Sequence, residues 1–269
     1  MPLTTTHTPP TFLTVLLRGL LAGLVAGLLA GAFGYLVGEP RIDAAIAIEE
    51  AATHSGPAVD DDHHAEDLVG RDGQRVGLFL ATGLFGTAMG GLLATAYVLL
   101  RRRLRTADDG RSALLLAGGA LLGAVLVPFL KYPANPPAVG SPDTIDQRTA
   151  AYLALVVLGL VAVWAGALGY RSVRVAAPTW QRAGAATLGF LLVTVVGYVV
   201  LPSFQEVPDD FPATLLWNFR LASLGTQVVL WTAIGLLFSA LMSRRPATDR
   251  HSGGRPGAPT VSTGTPAHP

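Results

Sequence analysis

Long apolar runs separated by short polar stretches dominate the chain. Six of them stand out, roughly Phe12–Val37, Val76–Leu100, Ala113–Leu130, Ala150–Tyr170, Gly184–Leu201 and Leu221–Met242. Each reaches or exceeds about 18 residues, the length at which an apolar stretch is read as a membrane crossing and not a core helix. The pattern predicts an all-α, polytopic membrane helix bundle with six transmembrane helices. It divides the chain into an N-terminal tail (1–11), a membrane domain (12–242) with structured loops at 38–75, 131–149 and 202–220, and a Pro-, Gly-, Ser- and Thr-rich tail (243–269) that reads as disordered. Ala30-Gly31-Ala32 resembles a small-residue cleavage site, but the first run is far longer than the ~7–15 residues of a signal core, so it is read as a retained helix.

The polar positions orient the bundle. Of the 19 Lys and Arg residues, 13 lie at Arg18, in 101–112, in 171–183 and in the C-terminal tail. Basic loops stay on the cytoplasmic side, so both termini are expected inside and the loops 38–75, 131–149 and 202–220 outside. Composition agrees with a membrane setting, with 51% hydrophobic and 14% charged residues. A net charge of +1 offers no basic face for a phosphate backbone, which excludes nucleic acid as a partner and leaves the lipid bilayer. The absence of Cys removes disulfides, thiolate metal sites and Cys nucleophiles. No P-loop, H-E-x-x-H or G-x-S-x-G motif occurs, and no His lies within a span where a pair might hold haem, so no enzyme and no permanently bound cofactor is expected.

Small residues mark the packing faces. Gly19, Gly23, Gly27 and Gly31 recur every four residues, leaving one helix face nearly bare for close approach of a neighbouring helix or of a second copy in a homo-oligomer. Gly86/Gly90 and Gly119/Gly123 repeat the pattern. A longer repeat is also visible. Gln74-Arg75, Gln147-Arg148 and Asn218-Phe219-Arg220 precede the second, fourth and sixth apolar runs at spacings of 73 and 72 residues, and Pro128 and Pro202 close the third and fifth. This suggests three parallel helical hairpins. An Arg just ahead of a helix opposes the macrodipole and the orientation bias, so Arg75, Arg148 and Arg220 are expected to be structural pins, each paired in bidentate fashion with a loop carboxylate among Glu39, Glu49, Glu50, Asp143, Glu206, Asp209 and Asp210.

Candidate chemistry concentrates in the outer loops. His54, Asp60, His63, His64, Glu66 and Asp67 supply imidazole and carboxylate suited to a divalent transition metal, or else a solvated acidic loop that merely attracts cations. Glu39-Pro40 opens a short amphipathic helix running to Glu50, with Glu39, Asp43 and Glu50 on one face and Glu49 beside them, as a lid or simply as a surface helix. The segment Leu130-Lys131-Tyr132-Pro133-Ala134-Asn135-Pro136-Pro137-Ala138-Val139-Gly140 is too proline-rich to be helical. It reads either as a stiff cap over the bundle mouth or as a strap with carbonyls and the Asn135 amide free to coordinate a ligand. Arg220, Ser223, Thr226 and Gln227 form a polar stripe in the last helix, suited to a pathway or to helix-to-helix hydrogen bonds.

These same residues carry a family resemblance. Glu39-Pro40 with Ile42, Ala45-Ile46 and Glu49-Glu50; the Lys131–Gly140 string with Asp143-Thr144-Ile145 and Arg148-Thr149; and Glu206-Val207-Pro208, Asp210-Phe211-Pro212-Ala213, Leu216-Trp217, Phe219-Arg220 and Ala222-Ser223 resemble the CbtA family, a predicted cobalt transporter subunit. The resemblance covers about residues 12–242. It implies a bacterial inner-membrane protein linked to cobalamin biosynthesis, divalent cobalt as the transported ion, and a small single-span companion, CbtB. With it, Lys131, Tyr132, Asn135, Asp143, Glu206, Asp210, Arg220, Ser223 and Gln227 are the expected pathway or mouth. A non-transporting membrane scaffold or accessory subunit is the rival reading.

Overall fold

A computed structural model describes residues 10–54, 71–104, 108–137 and 139–243. Helix α1 (Phe12–Phe33) begins at Thr11, whose hydroxyl accepts the Thr14 N–H. A π-helical turn (Gly34–Gly38) joins it to α2 (Glu39–His54). Then come α3 (Arg71–Leu104), α4 (Asp109–Ala120), a second π turn (Leu121–Leu126), α5 (Val127–Lys131), a 3₁₀ turn (Pro142–Thr144), α6 (Ile145–Ser172), α7 (Thr179–Val200) and α8 (Ala213–Ser243). Six helical stretches are long and apolar enough to cross a membrane: Phe12–Ile48, Arg75–Leu104, Asp109–Lys131, Pro142–Ser172, Thr179–Val200 and Ala213–Ser243. Large apolar side chains such as Leu188, Leu192 and Val199 lie on the outside, as lipid-facing residues do.

Both π turns have one sequence cause. Each ends two residues before a proline, Pro40 or Pro128. A helical proline offers no N–H to the carbonyl four residues back, and the widened turn re-registers the ladder before it is reached. The Glu39 N–H accordingly bonds Gly34 O, and the Val127 N–H bonds Leu122 O. The Pro-rich loops and α2 share one end of the bundle, and the Arg101–Arg103 cluster lies at the other.

The glycine face of α1 is filled by the same chain. A Cβ added at Gly86 would stand 2.6 Å from Gly27 Cα, and one at Gly23 would meet Gly90 Cα at 3.0 Å. Helix α3 therefore occupies the surface formed by Gly19, Gly23, Gly27 and Gly31, and the expected homo-oligomer through these glycines is corrected to an internal helix pair. Around this pair α8 packs on α1 and α4 with larger side chains. Tyr97 and Phe238 meet edge to face at 5.6 Å, and the Tyr97 hydroxyl donates to Asp109 at 2.5 Å.

The three-hairpin expectation is only partly met. The first two spans pack on each other, and so do the third and fourth, through Gly123 against Gly159. The fifth and sixth do not, because α7 lies on α6 while α8 sits between α1 and α4. The extended, proline-bearing connection after Val200 lets the last helix return to the other side of the bundle. The Arg positions are corrected as well. Arg75, Arg148 and Arg220 stand inside helices, with Arg220 about two turns into α8, beyond the first turn where the macrodipole acts most strongly.

Candidate functional site

The Pro-rich end holds a half-open cavity of ≈ 1020 Å³ bounded by the end of α5, the strap after it, the first turns of α6, the segment 204–207 and α8. Lys131 ends α5, where a cation complements the helix dipole. Its ammonium donates to the Tyr198 carbonyl at 3.0 Å and to Ser203 Oγ at 3.1 Å, and lies 5.4 Å from the centre of the Tyr132 ring. Tyr132 and Tyr198 tie the two connections together reciprocally. The Tyr132 hydroxyl donates to Pro202 O, and the Tyr198 hydroxyl donates to Val127 O at 2.6 Å.

Glu206 is the hub of the next wall. One carboxylate oxygen accepts from the Thr144 hydroxyl; the other accepts from the Ser141 N–H at 2.9 Å and lies 3.2 Å from Arg148 Nη1. The Thr144 hydroxyl, the Ser141 N–H and the Arg148 guanidinium hold this carboxyl below the usual carboxylate range, with burial opposing them. Arg148 also donates to Ser141 O at 3.1 Å. The Arg148–carboxylate pin is thus present, but with a single guanidinium nitrogen on Glu206 where a bidentate pair was expected, because the carboxylate's other oxygen is engaged by Thr144. Gly140, at φ 120, has Arg148 over it where a Cβ would stand, so this corner requires glycine.

Arg220 departs from expectation in its partners. It donates from Nη2 to Asn135 Oδ1 at 3.0 Å and from Nε to Ala134 O at 3.4 Å, with no carboxylate among its partners in the described residues. The strap's carbonyl and amide, expected to be free for a ligand, are instead held by this guanidinium, because a half-buried cation needs acceptors. Arg75 sits half-buried on α3 and does not line the cavity.

Ser223 and Gln227, one and two turns beyond Arg220, line both this cavity and a smaller one of ≈ 260 Å³. The smaller cavity is walled by the first π turn, Glu39, Ile42, Phe219 and Thr226. The structure therefore brings Lys131, Tyr132, Asn135, Glu206, Arg220, Ser223 and Gln227 to one place, with Glu39 next door. Asp143 and Asp210 are exposed and line neither cavity. Glu49, Glu50 and His54 fall on α2, but their side chains, like all of Asp60, His63, His64, Glu66 and Asp67, lie outside the described residues. Sequence reasoning missed Ser141, Tyr198, Ser203 and Phe204. Their partners, the Glu206 carboxylate, the Val127 carbonyl, the Lys131 ammonium and the Tyr132 ring, lie roughly seventy positions away, for which a single sequence holds no periodic signal.

No curated protein and no solved structure matches the chain. A family model does, over residues 12–243, a range that takes in all six spans and the whole cavity wall. A multi-pass bundle with this match over nearly its full length belongs to the CbtA family, described as a probable cobalt transporter subunit.

Proposed function

We propose that the chain is the membrane subunit of a divalent cobalt uptake system linked to cobalamin biosynthesis, seated in a bacterial inner membrane. Both termini lie in the cytoplasm and the Pro-rich end faces outward, as the basic residues in the connecting segments indicate. The observation that carries the transport reading is the continuity of the polar stripe. Ser223 and Gln227 belong to both cavities, so one hydroxyl and one amide are shared between the large cavity and the compartment walled by Glu39. Polar side chains inside a span are costly in lipid and are placed where a solute or water meets them. The outer segment with His54, His63, His64 and the acidic residues around them serves as a collector that raises local cation concentration. A small single-span, CbtB-like companion completes the assembly, in keeping with the word subunit in the family description.

The test is radiolabelled cobalt uptake by cells producing this chain with and without the companion, compared with Gln227→Leu. Uptake that falls severalfold in the variant, at equal membrane content, supports the pathway. Unchanged uptake removes Gln227 from it, and no uptake under any condition favours the scaffold reading.

A further inference from the structure

The charge that the described residues give the large cavity does not suit a bare cation. Among the described residues its charged lining consists of Lys131, Arg148, Arg220 and Glu206, three cations and one carboxylate. Glu206 is committed to Arg148, with side chains 15% and 28% exposed, which leaves two positive charges in excess among the described residues. Lys131 and Arg220 are half-buried and have only uncharged partners among the described residues: carbonyl, hydroxyl and amide oxygens and, for Lys131, the faces of Tyr132 and Tyr198. The Arg148 Nε–H is buried with no acceptor among the described residues. Such partners satisfy hydrogen bonds but supply no opposite charge, which in a partly desolvated place is unfavourable.

We propose that this cavity is a binding site for a small organic anion bearing two or more carboxylates. Lys131 and Arg220 take the carboxylates, the planar guanidinium matching the carboxylate fork. The ligand's body lies against Tyr132, Tyr152 and Phe204, which line the same space. The volume, ≈ 1020 Å³, sits at the top of the range of about 300–1,000 Å³ typical of small-molecule sites and is far larger than an inorganic oxyanion fills. A divalent cation then passes this mouth as part of an anionic carboxylate complex. That consequence rests on the transport reading; the anion site does not.

The experiment uses the full chain in nanodiscs of zwitterionic phosphatidylcholine, with thermal unfolding and calorimetric titration as readouts. The probes are citrate, inorganic phosphate, cobalt chloride alone and the two salts mixed. Citrate is expected to bind and stabilise, with affinity that falls as salt rises, and phosphate to bind far more weakly. Lys131→Gln is expected to weaken citrate binding roughly tenfold, the usual size for losing one charge-assisted hydrogen bond. Arg220→Lys keeps the charge but loses the fork, and serves if Arg220→Gln fails to fold; it is expected to weaken citrate by less than Lys131→Gln. The proposal is overturned if citrate neither binds nor stabilises, if phosphate matches it, if Lys131→Gln leaves it unchanged, or if cobalt chloride alone stabilises where citrate does not. Failure of cobalt uptake in cells alongside intact citrate binding would sink the transport reading and leave this one standing.

Discussion

The helix group of α1, α3, α4 and α8 and the pair of α6 with α7 are built differently. In the first, about a third of the most apolar stretch of Phe12–Ile48 and of Ala213–Ser243 is buried, 33% in each, and Tyr97, Phe238 and Ile234 are fully enclosed. In the second, α7 buries 6% of its stretch and touches mainly α6, through Gly166, Gly169 and Gly189 against Ala165, Ala185 and Ala186. Lipid tails are as apolar as Leu, so burial in protein is not what makes α7 a span. Its sequence needs only length and a small-residue stripe. The large cavity lies on the seam between the two groups, with Arg220 from one side and Tyr152 and Glu206 from the other. The pair meets the rest of the bundle mainly where α6 crosses the second π turn and α5, so motion at this seam would reshape the site.

Gly86→Leu should give the largest effect, since its side chain would meet the Gly23 and Gly27 backbone. A cost of ~3 kcal/mol or more is expected, because backbone cannot repack around it. Fluorescence size-exclusion of detergent extracts checks this through loss of the monodisperse peak. Leu192→Ala, on the exposed face of α7, should leave the same peak intact, and equal damage from both would dissolve the distinction between the two groups.

Gly159→Val tests the seam. Gly123 and Gly159 are in backbone contact where the second π turn crosses α6, and a Cβ at Gly123 would stand 2.7 Å from Gly159 O. A loss of ~1–3 kcal/mol is expected, with helix content preserved and the cavity end loosened. Cross-linking between positions 132 and 204, made as a cysteine pair in this cysteine-free chain, should become slower and more heterogeneous, and an unaltered rate would mean that the seam is held elsewhere.

The smallest effect concerns pH. Glu206 has its carboxyl lowered by Thr144, Ser141 and Arg148, so its contribution is complete above the ordinary Glu range of about 4.3 and is lost as pH falls through the depressed native value. Thermal unfolding followed from about pH 7 to about pH 3 should show this loss in the native chain. Glu206→Gln should lower the neutral-pH midpoint and flatten that part of the acid limb. An identical acid limb in both proteins would show that another carboxyl governs it.

Much of the fold was legible, and for a stated reason. In lipid every backbone group must be satisfied within the segment, so an apolar run of sufficient length has one solution, and six runs became six helices. Helix ends were placed less well. Arg148 and Arg220 read as loop residues because they are charged, yet Ile145 and Ala213 begin helices that extend past the apolar zone. That the proline string, the hydroxyl and amide of Ser223 and Gln227, and Glu206 belong together was legible because their types are costly or rigid in a membrane, and they line one cavity. Which partner each takes was not, since Arg220 found Asn135 and Ala134 across the bundle mouth. The internal fate of the α1 glycines was equally hidden, because a small-residue stripe looks alike whether it meets its own chain or another.

Lys131 is the sole lysine among 269 residues, the rest of the 19 Lys and Arg residues being Arg. Guanidinium groups resist the acylating reagents that attack amines. The chain is thus, by composition, a protein with one side-chain amine, positioned at its cavity wall. A fluorophore or spin label carried by such a reagent would report from that wall without any engineered residue, and protection of this amine by an added solute would map occupancy directly. A protease specific for lysine would have one bond to cut, between Lys131 and Tyr132, and its rate would measure how often the strap lifts away from the ends of α5 and α7.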